Sequence, residues 1–393
     1  MVNQVLIFLF ILLLPTQLGK HFFMDFSYLS GVRVDYLAPT LYLTDILALS
    51  LIIYNFKFIK PLFKSISFYI FLNVVLLNIF FAINPYISLY KAAKLFELFF
   101  LFVVLKNVVE NNKWNEKILI ALNIGAGVEL LLSLLQLAYK HAIQGPFYYL
   151  GERYVNLSMP DIAKTSLNGV EFLRAYGSFS HPNSMAGFNL LLYFFVLTSD
   201  RFLKNAVLKY VFMVLSALLI FCSFAKIPIV IFFILNLWYV VRNPSALPCT
   251  FCRVSRIIVI AAISSIVLFA KGDPLSLLKR SDLFNNAMTV FSQHILFGTG
   301  LGGYVIAQDQ FPAKYFYFFV QPVHNIFLLY LAEAGAVLTA VTFYYLIKYF
   351  RSHPRNQTYY YLVTIVFLTG SLDHYWLTLQ QNMFLLPLLF VLL

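Results

Sequence analysis

Residues 117–140 read KILIALNIGAGVELLLSLLQLAYK. A lysine stands at each end, and the one charged residue between them is Glu129. A helix crossing a bilayer core of about 30 Å needs about 20 mostly apolar residues, and this stretch supplies them. Inside lipid every backbone N–H and C=O must be paired within the segment, which makes such a run a helix.

The pattern recurs along the chain. Pro, Gly and clustered charges divide it into about twelve apolar runs, beginning near Gln4, Thr40, Ser65, Ser88, Lys117, Pro182, Ala206, Lys226, Arg256, Val323, Thr358 and Thr378. Lys226 and Pro228 separate the pair that spans 206–241, and the stretch from Gly370 to Gln381 is the break within the last pair. The expected fold is an all-α integral membrane protein of about twelve transmembrane helices, one polytopic domain over 1–393. The N-terminal run lacks a basic n-region and a small-residue cleavage site, so it reads as a retained first span. No internal repeat is visible.

Composition agrees. Of the 393 residues, 61% are hydrophobic and 11% charged, against about 25% charged in an average soluble domain. Mean hydropathy is +0.81. A soluble enzyme, a disordered chain, a coiled coil and a DNA-binding domain are excluded, and no nucleic-acid partner is expected. The net charge of +12 has a membrane explanation. Lys and Arg gather in short cytoplasmic loops, and five such loops each carry three: Lys57, Lys60, Lys64; Lys106, Lys113, Lys117; Arg201, Lys204, Lys209; Arg242, Arg253, Arg256; Lys348, Arg351, Arg355. They fall at every second connection, which predicts N-in, C-in. Two long connections, 140–181 and 271–322, then face outward. Cys249 and Cys252 form a C-x-x-C without further Cys or His nearby, and read as two unpaired thiols.

Topology accounts for the inner basic residues, so chemistry is sought on the outer side and within spans, where ionisable groups are expensive. One cluster is RAYGSFSHPN, Arg174 to Asn183. It joins an outer loop to a span, with Pro182 suited to the first helical position and His181 and Asn183 suited to a cap or turn. A second is Lys279-Arg280-Ser281-Asp282 followed by the glycine run Gly298 to Gly303. That run has no Lys-Ser/Thr behind it, so it reads as a turn bringing backbone close to another element, not as a nucleotide loop. A third runs from Pro322 to Gly335, with His324 and Asn325 opening a span and Glu333 nine residues on, about 13 Å along a helix. Lys226, Asp373-His374, Asp45 and the Lys91/Lys94/Glu97 set are further candidates, the last an i, i+3 face for internal ion pairs.

At these clusters the sequence resembles the O-antigen ligase and O-antigen polymerase superfamily of bacterial envelope proteins. Arg174 followed by Gly-Ser-Phe-x-His-Pro-Asn is similar to that family's Arg, Gly-Thr-Phe, Pro-Asn segment. Arg280 ahead of FGTGLGGY (297–304), and His324-Asn325-x-x-Leu328 with Glu333-x-Gly335 behind it, are similar too, as are VDYLAPT (34–40) and Asp373-His374-Tyr375. One departure is Ser223-Phe-Ala-Lys226, where the family often has Ser-Arg; lysine keeps the charge but not the bidentate fork.

The resemblance implies a GT-C-like glycosyltransferase of the bacterial inner membrane. Its donor would be a polyprenyl-diphosphate-linked glycan, and its acceptor a glycolipid, glycan or protein hydroxyl on the outer face. Arg174 and Arg280 would clamp the diphosphate and His324 would take the acceptor proton, an imidazole having an unperturbed pKa near 6.5. Lys226, His181, Asn183, Asn325 and Glu333 would bind substrate. No metal or other cofactor is expected, and a single displacement would invert the anomeric centre. A repeat-unit polymerase of the same superfamily is the alternative within this class; a transporter of a lipid-linked glycan or anionic solute is the alternative from another.

Overall fold

A computed structural model of the chain describes residues 2–109, 114–159, 162–243, 249–271, 275–312, 314–315, 318–352 and 355–393, without the side chains of 250 and 252. Lys113 of the second basic loop and the Cys252 side chain of the C-x-x-C therefore lie outside the described residues.

The fold is helical, with short two-stranded ribbons outside the helices. The helices are α1 (Val2–Leu13), α2 (Leu43–Tyr54), α3 (Ile66–Phe80), α4 (Pro85–Val109), α5 (Asn115–Tyr139), α6 (Pro182–Thr198), α7 (Ala206–Cys222) and α8 (Lys226–Arg242). There follow α9 (Thr250–Phe269), α10 (Ser276–Gln293), α11 (Tyr304–Gln308), α12 (Ile326–Ser352), α13 (Gln357–Gly370), α14 (Tyr375–Thr378) and α15 (Gln380–Leu392). Each apolar run read from the sequence holds one of these helices. By length and composition, three of the described helical segments suffice to cross a membrane: Asn115–Tyr139, Asp200–Cys222 and Ile326–Ser352. A fourth arises if Leu43–Tyr54 and Phe56–Lys64, bent by 69° to one another, are one span. On α7 the residues Val207, Val211, Val214 and Leu218, spaced as one helical face, are all exposed. An apolar stripe of that size suits lipid.

The breaks have local causes. The quoted stretch ends where Lys140 turns left-handed, φ 61°. Between α7 and α8, Phe224 does the same at φ 49°, and Pro228 in the first turn of α8 costs no helical bond. The ribbons pair β1 (Gly19–His21) with β4 (Thr40–Tyr42), β2 (Tyr28–Leu29) with β3 (Val32–Arg33), and β5 (Lys164–Leu167) with β6 (Val170–Leu173), all antiparallel. An all-helical reading did not contain them. They fall in the connections, where period-3.6 patterning is absent.

Helix α6 is the axis of the bundle. Every residue from Ser184 to Leu197 is buried, and α6 packs against α7, α8, α13 and α15. A helix apolar on all sides belongs in the centre. The N-terminal end of α6 is therefore held by its neighbours on every side, and the candidate site lies there.

The polar residues within helices are largely engaged by protein. Lys94 pairs with Asp45 and with Glu97, the latter at 3.5 Å, and Asp45 accepts the Tyr42 N–H at 2.8 Å and an amide hydrogen of Gln380. The glycine run packs backbone to backbone. Thr299 N–H donates to the Ala332 carbonyl at 2.9 Å, and Ala336 N–H to Ile295 at 2.8 Å. Helix α12 is interrupted at Gly335, φ 68° and ψ 177°, a region open essentially to glycine alone. A Cβ there would strike the backbone of Gly298, Leu296 and Phe297. Gly335→Ala is therefore expected to cost about 1–3 kcal/mol in backbone strain before the clash is added. A lowered melting temperature in detergent checks it; an unchanged one contradicts the packing.

Candidate functional site

Four segments distant in sequence meet at the N-terminal end of α6. They are the turn 174–183, α10 at Arg280, the start of α12 at His324, and the loop 371–374 between α13 and α14.

The turn is fixed from below by α5. The Glu129 carboxylate accepts from Ser178 N–H at 2.8 Å and from Ser178 Oγ at 2.6 Å. One turn and more along α5, Gln136 Oε1 accepts the N–H groups of Tyr176 and Gly177, both at 2.9 Å. Its Nε2 donates to the Gly177 carbonyl at 3.0 Å and to Glu152 at 2.8 Å. Gly177 sits at φ 58°, and a Cβ there would meet the Glu129 carboxylate. Buried polar side chains thus replace water for a turn that has few backbone partners of its own.

Asp373 is the hub. Its Oδ1 accepts the His374 N–H at 2.8 Å and lies 3.3 Å from His324 Nδ1. Its Oδ2 accepts from Asn183 Nδ2 at 2.8 Å. Asn183 Oδ1 in turn accepts from the Arg174 guanidinium at 2.7 Å, and Arg174 Nε donates to the Ser223 carbonyl at 2.8 Å. Arg280 donates to the carbonyl of Leu372 at 3.1 Å, and Asn325 Nδ2 to that of Ser371 at 3.1 Å. The loop before Asp373 is thereby tied to both α10 and α12.

The imidazoles have separate tasks. His181 is the N-cap of α6, its Nδ1 accepting the Asn183 N–H at 3.1 Å. His374 Nδ1 faces Thr378 Oγ1 at 2.7 Å, and its ring crosses that of Tyr36 edge-on. His324, with 19% of its side chain exposed, is the one that faces the carboxylate and still reaches solvent. With Nδ1–H donated to Asp373, the assigned tautomer leaves Nε2 as a proton acceptor.

Charges at the site follow from these contacts. Burial lowers the Arg174 guanidinium to about 10, so it stays a cation at neutral pH. Burial raises the Asp373 carboxyl, but His324, His374 and His181 outweigh it and hold it well below the usual carboxylate range. Burial, followed by Arg174, pushes His181 down to about 3. Burial outweighs the pull of Asp373 and lowers His374 to about 3 as well. A free imidazole titrates near 6.5. Below that pH the unfolded chain binds protons that the folded one refuses until about pH 3, so stability is full above about 6.5 and falls as pH drops through the window. The expected slope is about 1.4 kcal/mol per pH unit for each histidine. His181→Asn retains a good cap and should flatten the loss of melting temperature between pH 7 and 4.5. An equally steep loss would show that His181 is not held neutral.

The sequence-derived residues divide. Arg174, Asn183, Arg280, His324 and Asn325 come together. Asn183 and Asn325 spend their amides on protein: Asn183 bridges Arg174 to Asp373, and Asn325 also caps α12 through Leu328 N–H at 2.9 Å. Lys226 is exposed at the first residue of α8, three residues past the Ser223 carbonyl that holds Arg174. Glu333 does not face the site. It accepts from the N–H groups of Gly302 and Tyr304 and neighbours Lys91, and so it clamps the glycine turn. Glu129, Gln136 and the central position of Asp373 did not emerge from sequence as site features.

His324, Asp373 and His374 place one donor atom each within 4.8 Å of one another. Two imidazoles and a carboxylate suit a divalent cation of the zinc type. The Asp373 oxygens already serve Asn183, His374 and His324, so a cation here would compete with those contacts. No protein-family model matches the chain, and no curated protein matches it.

Proposed function

We propose that this chain is a membrane glycosyltransferase that moves a glycan from a polyprenyl diphosphate to an acceptor hydroxyl on the outer face of the bacterial inner membrane. The supporting observation is the convergence of Arg174, Arg280 and His324 around the 371–374 loop from three distant segments. These residues also carry the resemblance to the O-antigen ligase and polymerase superfamily.

The proposed topology has twelve spans with both termini inside. Helices α6 and α12 begin at the site and run toward Arg201, Lys204 and Lys209, and toward Lys348 and Arg351. Short basic loops stay cytoplasmic, so the opposite helix ends, and the site, face out.

In the proposed reaction the acceptor oxygen attacks the sugar C1 from the face opposite the diphosphate. The C1–O bond to phosphate breaks, and its electron pair leaves with the diphosphate. Arg174 and Arg280 stabilise that growing charge. His324 Nε2 takes the acceptor proton while Asp373 orients the ring. One displacement inverts C1. The two guanidinium groups supply the charge stabilisation, so EDTA is expected to leave turnover unchanged. Loss of turnover with EDTA, restored by zinc or manganese, would instead give His324, Asp373 and His374 to a cation.

A deletion strain tests the reading in cells. Carrier-linked glycan is expected to accumulate and to clear on complementation with wild type, but not with Arg280→Ala or His324→Ala. Long carrier-linked chains identify a ligase; single repeat units identify a polymerase. Unaltered glycans would refute transfer.

A further inference from the structure

Arg153 lies in the 140–181 connection, and its neighbours on both sides are tied to the turn that carries Arg174. Glu152 is buried and accepts from Gln136 Nε2 at 2.8 Å, the same amide that donates to the Gly177 carbonyl at 3.0 Å. Val155 is buried in a small cluster with Ala142, Ala163, Leu173 and Tyr176. The backbone at Arg153 is thereby held beside the site, while its own side chain is exposed. Two tyrosines locate its charge. The Tyr36 ring stands 5.7 Å from that of His374, which stands 5.1 Å from that of His324. The Tyr176 ring stands 6.1 Å from that of His181. Burial raises the Tyr36 hydroxyl to about 12, Arg153 draws it down, and Asp373 and Asp35 push it up. Burial raises Tyr176 too, against the Ala163 N–H, Arg153 and Arg174. The Arg153 cation therefore acts on the phenols beside both His374 and His181.

Among the described residues that cation has neither a hydrogen bond nor an ion pair. The acids around it are spent elsewhere. Glu152 also accepts the N–H groups of Ile143 and Gln144, and Asp35 pairs with Arg33 at 3.2 Å. A rigid fork of N–H donors is left free. The other two arginines have less to offer: Arg174 is committed to Ser223 and Asn183, and Arg280 gives one bond to Leu372. Three guanidinium groups and one carboxylate, Asp373, leave the site with an excess of positive charge. A diphosphate ester, negative at each phosphorus, would balance it, and guanidinium forks match phosphate oxygens.

We propose that Arg153 is a third guanidinium of the site, which binds phosphate oxygens of the donor's diphosphate. The inference rests on the transfer reading for the owner of the phosphate. A phospholipid headgroup offers the same chemistry, and the test separates the two sources.

The test uses the full-length protein in lipid nanodiscs, with inorganic diphosphate as the probe and calorimetry as the readout. Wild type is expected to bind it. Arg153→Ala should weaken binding about tenfold, the loss of one charge-assisted hydrogen bond. Arg153→Lys should recover part of that, because it keeps the charge without the fork. The side chain is exposed and unpaired, so both variants should melt as wild type does, and the loss is not a folding defect. In transfer kinetics the change should fall on the KM for donor more than on kcat. Phosphatidylglycerol retained by the purified protein, counted by native mass spectrometry, should be the same in wild type and Arg153→Ala. Loss of that lipid in Arg153→Ala with diphosphate affinity unchanged would give the guanidinium to a headgroup and overturn the proposal. So would wild-type diphosphate affinity in Arg153→Ala, or no binding by wild type. With any of these results, loss of transfer in Arg280→Ala and His324→Ala would leave the transfer reading standing. Diphosphate binding that depends on Arg153, in a protein that transfers nothing, would keep the phosphate site and remove the reading beneath it.

Discussion

Replacing His324 with alanine is expected to lower turnover by about 10²–10⁴-fold, the usual contribution of a positioned general base. The loss should fall on kcat. His324 is partly exposed and meets Asp373 at 3.3 Å and the His374 ring at 5.1 Å between centroids; neither belongs to the donor clamp, so its removal leaves that clamp in place. Asp373→Asn provides the complementary measurement. An amide keeps the bond to Asn183 or to the His374 N–H but removes the charge that orients His324. The proposed roles therefore predict a smaller loss in Asp373→Asn than in His324→Ala, and no further loss when the two are combined. Independent, multiplying losses would mean that His324 and Asp373 do not act as a unit.

Arg280 gives the second large effect. Arg280→Ala should cost about 10²–10³ in turnover, as for removal of one donor aimed at developing charge. Arg280→Lys should recover only part, because an ammonium lacks the fork that matches phosphate oxygens. Arg280 spends one hydrogen bond on the Leu372 carbonyl, and the rest of its guanidinium is available to substrate. Arg174 differs. It is committed to Ser223 and Asn183, so its removal should lower thermal stability along with turnover. Equal stability losses in Arg174→Ala and Arg280→Ala, with turnover intact in both, would reduce the pair to structural arginines.

Much of this arrangement was legible in the sequence because its determinants are local. Apolar runs between charges marked the helices, and Pro182 behind His181 marked the start of α6. Other features depend on contacts that no local pattern encodes. Glu129 reads as one acid in an apolar helix, and only the returning turn at Ser178 explains it. Asp373 reads as an acid at a helix end, and its role rests on Asn183 and His324, 190 and 49 residues away in sequence. Glu333 shows the opposite failure. Its place behind His324 suggested a shared site, yet its carboxylate turns to the backbone of Gly302 and Tyr304. The glycine run was legible as a close approach, but its partner, the interruption of α12 at Gly335, was not. The ribbons at 19–42 and 164–173 were missed because strands this short leave no alternation to detect.

The most direct measurement is transfer by purified protein reconstituted in liposomes, supplied with a polyprenyl-diphosphate-linked glycan and an acceptor glycan from the same cells. The proposed chemistry predicts a glycosylated acceptor and released polyprenyl diphosphate in equal amounts from wild type, and neither from Arg280→Ala or His324→Ala. Glycan moved across the bilayer with its carrier bond intact, or transfer undiminished in both variants, would contradict it.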